Sequence, residues 1–583
     1  MATPHPRPFY YLENFQAALA WLRQRYDDLL SAEEREFMRA FDSLPTESGA
    51  LLVRMIMRKG GLFRTSKLVY GEIGPTRAAA APLVKLGWVD DRPLLGVGEL
   101  FALLRKAELA AAFRLTAKER GLTKALLLAQ LSAGFIERRT FETWCPGSAG
   151  SLANVRQPAL GAAIEADASC ANADAGATAA DSEEVYRVRI LDLCERLRLM
   201  FFGNFNQTWS EFVLADLGIF HYEKVALSPE ARAFQSRRHI DDFHAIFRCR
   251  ERFSRDEPSE HVLADVPQPI DDNAWLESRR AKLLFRVAQR YEQQGELAAA
   301  LSVYSTCSYP GSRVRAIRVL ERSDRWSEAA ELASCAEQSP EDEVERQQIS
   351  RLMPRLRRRL GQAVTPVRRP SGWVTFELHV PPHEELSVEH ATRVFLTEPD
   401  APVHYVENAL INSLFGLLCW DIIFLPLPGA FFHEFHAAPA DLFTPDFFRR
   451  REHAFNERLA ELTSSEYQHR VRGTFARKAG IQSAFVSWGL LNEELLDVAL
   501  ACLPPTHLER CFRRILQDVK TNRAGLPDLI QFWPRERRYR MIEVKGPGDR
   551  LQDNQIRWLD YCASHGMPVS VCHVRWAEAE GAH

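Results

Sequence analysis

Along most of the chain apolar residues recur every three or four positions, the spacing that gathers them on one face of a helix. Residues 1 to about 90 read as helices. "LLGVGELFALLRKAELAAAFRLTAKERGLTKALLLAQL" (94–131) predicts two short helices joined near "FRLTAKERG". The period then stops. Residues 146–184 are rich in Ala, Gly, Ser and Asp and almost devoid of large apolar groups. Such a stretch cannot bury enough surface to offset its ordering entropy, so it reads as a linker or insertion. Helical periodicity resumes at "VYRVRILDLCERLRLMFFGNF" (185–205). From about 275 to 360 it becomes a pattern of helix pairs: Ala288, Tyr291, Gly295, Ala299, Tyr304 and Pro310 follow the small/large spacing of a tetratricopeptide-like repeat, with a weaker echo at 316–340. Small residues let antiparallel helices approach closely, and stacked pairs provide shape and spacing.

The pattern changes again in the last 210 or so residues. "GWVTFELHV" (372–380), "DLIQFW" (528–533), "RYRMIEVK" (538–545) and "PVSVCHVRW" (568–576) read as strands, with "PRER" as a turn between the middle two. "HYVENALINSLFGLLCW" (404–420) reads as a long amphipathic helix, "DIIFLPL" (421–427) as a strand or extended segment, and "DNQIRWLDYCASHG" (553–566) as a helix closed by Gly566. Strands and helices in this order predict a small mixed sheet covered by helices. The chain is therefore expected to be multidomain and mostly α, ending in an α/β domain. The expected divisions are 1–74, 75–140, a linker at 141–185, a helical connector at 186–274, helical repeats at 275–365, and 371–583.

Composition fits this picture. At 583 residues the chain is too long for one core. The hydrophobic fraction of 46% and charged fraction of 26% are those of a soluble globular protein. It has no run of eighteen apolar residues, so no transmembrane helix and no membrane partner are expected. "MATPHPRPFYYLENFQ" lacks the basic and apolar regions of a secretory signal. Eleven cysteines without a CxxC pair argue against a zinc ribbon and for a reducing, cytoplasmic setting.

A net charge of −3 gives no overall pull towards nucleic acid, so any such binding has to use local clusters. Three clusters stand out: Arg54, Arg58, Lys59, Arg64 and Lys67; Arg114, Lys118, Arg120 and Lys124; and Arg355, Arg357, Arg358, Arg359, Arg368 and Arg369, a Pro-interrupted run ahead of the last domain. The first reads equally as a solvated face or as phosphate contacts; the last is more commonly a solvated linker, although its place before the final domain makes a nucleic-acid contact the alternative. Gly96 and Gly98 make a GxG without a third glycine or a preceding strand, too little for a nucleotide loop.

The chemistry concentrates in "GLPDLIQFWPRERRYRMIEVKG" (525–546). Asp528, Glu543 and Lys545 sit among residues that otherwise read as buried strand, where a charge is costly unless it is paired or binds a metal. Residues two apart share a strand face, so Glu543 and Lys545 point the same way, and pairing of the two strands brings Asp528 to Glu543. Two carboxylates alone at that distance repel, and one takes up a proton. A divalent ion removes the conflict, and oxygen-only ligands favour Mg²⁺ or Mn²⁺. The Val544 carbonyl is a further candidate ligand, and Lys545 is placed to position water or to meet charge building on phosphorus. The competing reading is a surface salt bridge in a plain hairpin.

"GLPDLI", "IEVKGPGDRLQDNQIRWL", "NSLFGLLCWDIIF", "FVLADLG" and "VRMIMRKGGLFRTSKLVYGEIG" resemble the PD-(D/E)xK nuclease superfamily, in particular its virus-type replication-repair branch and the Fanconi-associated nucleases of bacterial type. The resemblance implies a restriction-endonuclease-like domain at 371–583, a SAP-like DNA-binding module at about 75–140 and a helical-repeat domain. It assigns Asp528, Glu543 and Lys545 to the catalytic core and requires a glutamate from a helix, placed at Glu407, with Glu389 on another helix as the competitor. It gives Gln555 a supporting role toward water or phosphate; Arg550, in the loop "GPGDRL", reads as a phosphate contact and Trp558 as core. The implied activity is 5′-flap endonuclease and 5′-to-3′ exonuclease action on branched or flapped duplex DNA, in interstrand crosslink repair. A junction resolvase or restriction-like endonuclease, and a non-catalytic repeat scaffold, are the alternatives.

His433, Glu434 and His436 have no zinc-protease spacing. The aromatic-rich stretch 430–448 reads as core before it reads as a base-stacking platform.

Overall fold

The structure, a computed structural model, describes all residues except 1–7, 133, 146–182, 212–218, 229–230, 364–371, 382–385, 428 and 578–583. The expected linker therefore lies almost wholly outside the described residues, as do Arg368 and Arg369. The chain divides into two compact units, Met1–Leu217 and Gly218–His583.

The first unit opens with helices Tyr10–Tyr26, Ala32–Asp42 and Thr46–Ile56, the second started by Ser31 and Glu34 in a reciprocal cap. The all-helical expectation fails after that. Strands β1 (Leu62–Arg64), β2 (Val89–Asp90) and β3 (Val185–Val188) form an antiparallel sheet in the order β1-β3-β2. "VYRV", whose spacing predicts the start of a helix, is the central strand. Two- to four-residue strands are too short to show a period, and β3 finds its partners about a hundred residues away. Residues 94–131 hold four short helices rather than two, Val97–Leu103, Lys106–Ala112, Ala117–Arg120 and Lys124–Ser132, and Phe141–Trp144 follows among the described residues. They pack around Leu100, Phe101, Leu109, Phe113, Leu127 and Trp144. Gly96 precedes the first of these helices.

In the second unit, helices Ala274–Gln294, Leu297–Ser305, Ser312–Arg322, Trp326–Gln338 and Glu343–Arg359 each pack on the next, as the repeat pattern predicts. Gly295 ends the first with φ +83°, a left-handed cap that suits glycine. The basic run proves partly structural. Pro354 lies inside Glu343–Arg359, where Arg355 pairs with Glu321, Arg357 with Glu337, and Arg359 stacks over Trp326.

The rest of the unit is built on a five-stranded mixed sheet of β4 (Val374–Val380), β5 (Val403–Tyr405), β6 (Leu529–Trp533), β7 (Arg538–Lys545) and β8 (Val569–Trp576), in the order β4-β8-β7-β6-β5. β6 and β7 form the expected antiparallel hairpin, and β7 and β8 run parallel. One face, with Ile530, Phe532, Tyr539 and Met541, packs on the large helical core that includes helices Leu410–Leu418 and Asp553–Ser564. The other, with Leu529, Ile542 and Val544, packs under helix Val388–Leu396. Trp558 is core as expected, its indole N–H donating to the Asn522 carbonyl at 3.1 Å.

Residues 404–420 depart from the single long helix. The chain enters as edge strand β5, turns at 407–409, and only then forms Leu410–Leu418; "DIIF" falls in a short helix, Trp420–Ile423, and not in a strand. Pairing of Tyr405 with Leu529 and the Val406 N–H bond to the Asp528 carbonyl (2.8 Å) hold the first residues in the sheet. Tertiary pairing here overrides the local helical period.

Candidate active site

Register builds the site. Leu529 lies opposite Ile542, so the preceding Asp528 meets Glu543 across the hairpin. Asp528, Glu543 and Lys545 share their face with Ile530 and Met541, the face under the large helical layer. All three side chains are buried, Glu543 completely, with 0% exposed. The Val544 N–H donates to Asp528 Oδ2 at 2.8 Å and locks that carboxylate to the neighbouring strand. Lys545 Nζ lies 2.8 Å from Glu543 Oε1. Neither Glu543 oxygen, however, receives a regular hydrogen bond among the described residues.

That arrangement is electrostatically unsatisfied. Burial, and then the Asp528 carboxylate, push the Glu543 carboxyl up to about 8, with Lys545 pulling the other way. Burial likewise raises Asp528 to about 6 against the opposing pull of the Val544 N–H and Lys545, and the charges of Glu407 and Glu389 add to the rise. A fully buried carboxylate with a single lysine against one oxygen, beside a second carboxylate, is a donor set suited to a hard divalent cation. Asp528, Glu543 and the Val544 carbonyl are the residues that would hold it.

Glu407 is not on a helix. It sits exposed in the turn between β5 and Leu410–Leu418, and its charge reaches Asp528. Glu389, in the first turn of Val388–Leu396, is the other nearby carboxylate. Glu407 is held by neighbours that sequence reasoning missed. The Tyr405 hydroxyl donates to Glu407 Oε2, and the Asn408 amide approaches Oε1 at 3.4 Å. Burial, followed by that hydrogen bond and the charges of Glu407, Asp528 and Glu389, raises the Tyr405 phenol above its ordinary range, so it stays a donor. The signal was present in "HYVEN", but a helical reading scatters those side chains around a cylinder. Gln555 opens helix Asp553–Ser564, where its Oε1 accepts the Gln552 N–H at 2.8 Å as part of a cap. Arg550 is exposed in the loop after β7.

The N-terminal basic residues fall into two groups. Arg64 pairs with both Glu183 and Glu108, and Arg54 pairs with Glu72 at 2.7 Å while stacking over Tyr11, so both already hold carboxylate partners. Arg58, Lys59, Lys67, Arg114, Lys118, Arg120 and Lys124 are exposed, and Arg58, Arg120 and Lys124 also bond backbone carbonyls. The rings of His433 and His436 are tilted with centroids 3.9 Å apart and bond neighbouring backbone; burial lowers His436 to about 4. In the aromatic stretch Phe431, Phe432, Phe435 and Phe447 are buried, and Phe443 is exposed.

A buried hairpin carrying Asp, then Glu-x-Lys, on a mixed sheet is the way nucleases of the PD-(D/E)xK class build a cleavage centre, and the sequence comparisons agree. Residues 462–576 match the VRR-NUC domain, 9–90 the HTH domain of the FAN1 family, and 94–144 the Fanconi anemia-associated nuclease SAP domain. The chain is 50% identical to a Fanconi-associated nuclease 1 homolog of Pseudomonas aeruginosa, over 98% of this chain and 96% of that one. Human Fanconi-associated nuclease 1 is 34% identical over 33% of this chain and 19% of its own. A crystal structure of paFAN1 bound to 2-nt 5′-flap DNA with gap superposes with a TM-score of 0.90 at 49% identity, covering 99% of this chain and 100% of that one. This chain belongs to the Fanconi-associated nuclease 1 family and is a DNA phosphodiesterase dependent on a divalent metal. No helix among the described residues is long and apolar enough to cross a membrane.

Proposed function

We propose that this enzyme cuts 5′ flaps on branched duplex DNA with Mg²⁺ or Mn²⁺, trims 5′ to 3′, and serves interstrand crosslink repair. The observation that carries the reading is the buried Asp528–Glu543–Lys545 hairpin in a chain that matches, end to end, relatives solved on 5′-flap DNA. A bound divalent cation supplies positive charge against the negative charge that builds on the phosphoryl group. Asp528, Glu543, the Val544 carbonyl and Glu407 hold it. Lys545, whose Nζ lies 2.8 Å from Glu543 Oε1, orients the attacking water or meets the developing oxyanion. Exposed lysines and arginines of the N-terminal unit, Arg58, Lys59, Lys67, Arg114 and Lys118 among them, grip phosphates and so give little sequence preference. Arg550 and the Gln555 amide serve phosphate or water near the centre.

The test is cleavage of end-labelled flap, nicked and four-way-junction duplexes in Mg²⁺, Mn²⁺ and Ca²⁺. Preferred cutting of the 5′ flap, with products shortening from the 5′ end, supports the proposal. A preference for the junction assigns the enzyme to resolvase work, and no metal-dependent cutting of any substrate leaves a scaffold.

A further inference from the structure

We propose that Tyr405 and Asn408 are positioning residues that hold the Glu407 carboxylate as a ligand of the divalent cation shared with Asp528 and Glu543. The inference rests on the metal-dependent nuclease reading above. Glu407 is exposed in a turn, where a glutamate side chain is otherwise mobile and would reach the cation only part of the time. Two donors confine it: the Tyr405 hydroxyl on Oε2, and the Asn408 amide 3.4 Å from Oε1.

Both donors are themselves fixed. Tyr405 pairs with Leu529, the residue after Asp528, and its ring stacks on His390 with centroids 4.9 Å apart. Asn408 adopts φ +53°, a left-handed conformation that asparagine tolerates better than most residues. Its Oδ1 accepts the Leu526 N–H at 3.0 Å, and its carbonyl accepts from Asn412. With the Val406 N–H bond to the Asp528 carbonyl at 2.8 Å, the turn carrying Glu407 is stitched twice to the turn carrying Asp528. The third carboxylate is thereby tied to the backbone of the first. A phenol that only filled space would not need its hydroxyl on a ligand carboxylate.

The experiment uses the full chain and the variants Tyr405→Phe, Asn408→Gly, Glu407→Gln and the Tyr405→Phe/Glu407→Gln double variant. Tyr405→Phe keeps the stacked ring, and Asn408→Gly keeps the backbone conformation. Mn²⁺ binding is read without DNA by the electron paramagnetic resonance of free Mn²⁺. Cleavage of a labelled 5′-flap duplex is then titrated with Mn²⁺. Removing a hydrogen bond to a metal ligand weakens metal binding by about 10-fold or more. Tyr405→Phe should raise both the Mn²⁺ dissociation constant and the half-activating concentration by about that factor. Its rate at saturating Mn²⁺ and its melting temperature should stay close to the parent's. Asn408→Gly should shift both constants the same way. Glu407→Gln should weaken binding at least as much, and adding Tyr405→Phe to it should change nothing further. If Tyr405→Phe binds Mn²⁺ like the parent while Glu407→Gln does not, the positioning role is wrong and Glu407 remains a ligand. If Glu407→Gln itself binds Mn²⁺ like the parent, Glu407 is no ligand and the positioning role fails with it.

Discussion

Replacing Glu543 with glutamine should destroy cleavage and, without metal, make the folded protein more stable at alkaline pH. The reasoning starts from the carboxyl being wholly buried and raised from 4.5 to about 8. The unfolded chain releases this proton near 4.5, while the folded one keeps it to about 8. Stability falls with pH wherever the folded state binds more protons, by about 1.4 kcal/mol per pH unit for one group. The contribution is therefore fully present below about 4.5 and lost progressively as pH rises to about 8. Over a working range from about pH 5.5 to about pH 8 the loss is about 3 kcal/mol. Glutamine has no proton to lose and escapes it.

In melting temperature that loss corresponds to about 6–12 °C for a domain of this size. Thermal melts of the parent and Glu543→Gln in a chelator should lie near one another at pH 5.5. By pH 8 they should separate by about that amount, the variant melting higher. Added Mn²⁺ should then raise the parent's melting temperature at pH 8 by mass action and leave the variant's nearly unmoved. Parallel curves across the pH range would mean that Glu543 titrates normally and that no unsatisfied charge is waiting for a cation.

Lys545→Met should lower cleavage of a flap substrate by about 10²–10³-fold at saturating metal, the size seen when one charge-stabilising donor is removed; unchanged binding of the same duplex in Ca²⁺ separates chemistry from recognition. Arg64→Met should destabilise the first unit by about 1–3 kcal/mol, because Glu183 and Glu108 lose their shared partner; Arg58→Ala should instead leave melting alone and weaken DNA binding, and the opposite assignment in paired melts and titrations would reverse the two roles. Gly525→Ala should cost about 1–3 kcal/mol in a denaturant melt, since the backbone there has φ +95° and a Cβ would lie 2.8 Å from the Asn554 carbonyl carbon. DNA affinity should fall steeply as salt rises, and a flat response would argue against a phosphate grip.

How much of this was legible in the sequence depended on whether a feature was local. The hairpin at 528–545 is local: a two-residue period, a four-residue turn and three misplaced charges are all visible in one window, and the register follows. The repeat helices are local too, each packing on the next. The sheet of β1, β2 and β3 was invisible because its strands are short and β3 lies about a hundred residues from either partner. The helical reading of 404–420 failed for a related reason. Its first residues carry helix-compatible spacing, but their hydrogen bonds go to β6.

Glu407 shows what such a failure means for chemistry. Motif resemblance puts Glu407 on a helix, whereas the structure puts it in a turn, and the difference matters because a helix would present the carboxylate by its own rigidity. A turn cannot do that. Here the rigidity is borrowed from the segment carrying Asp528, through the Asn408 side-chain bond to Leu526, a residue 118 positions away, and through the backbone bond from Val406. The pair Asp528–Glu543 is fixed by strand register, whereas Glu407 is fixed by contacts to the segment before β6. A Cβ added at residue 525, which would lie 2.8 Å from the Asn554 carbonyl carbon, should therefore disturb Glu407 before it disturbs the hairpin. It follows that Gly525→Ala should weaken Mn²⁺ binding under conditions where the hairpin is still folded.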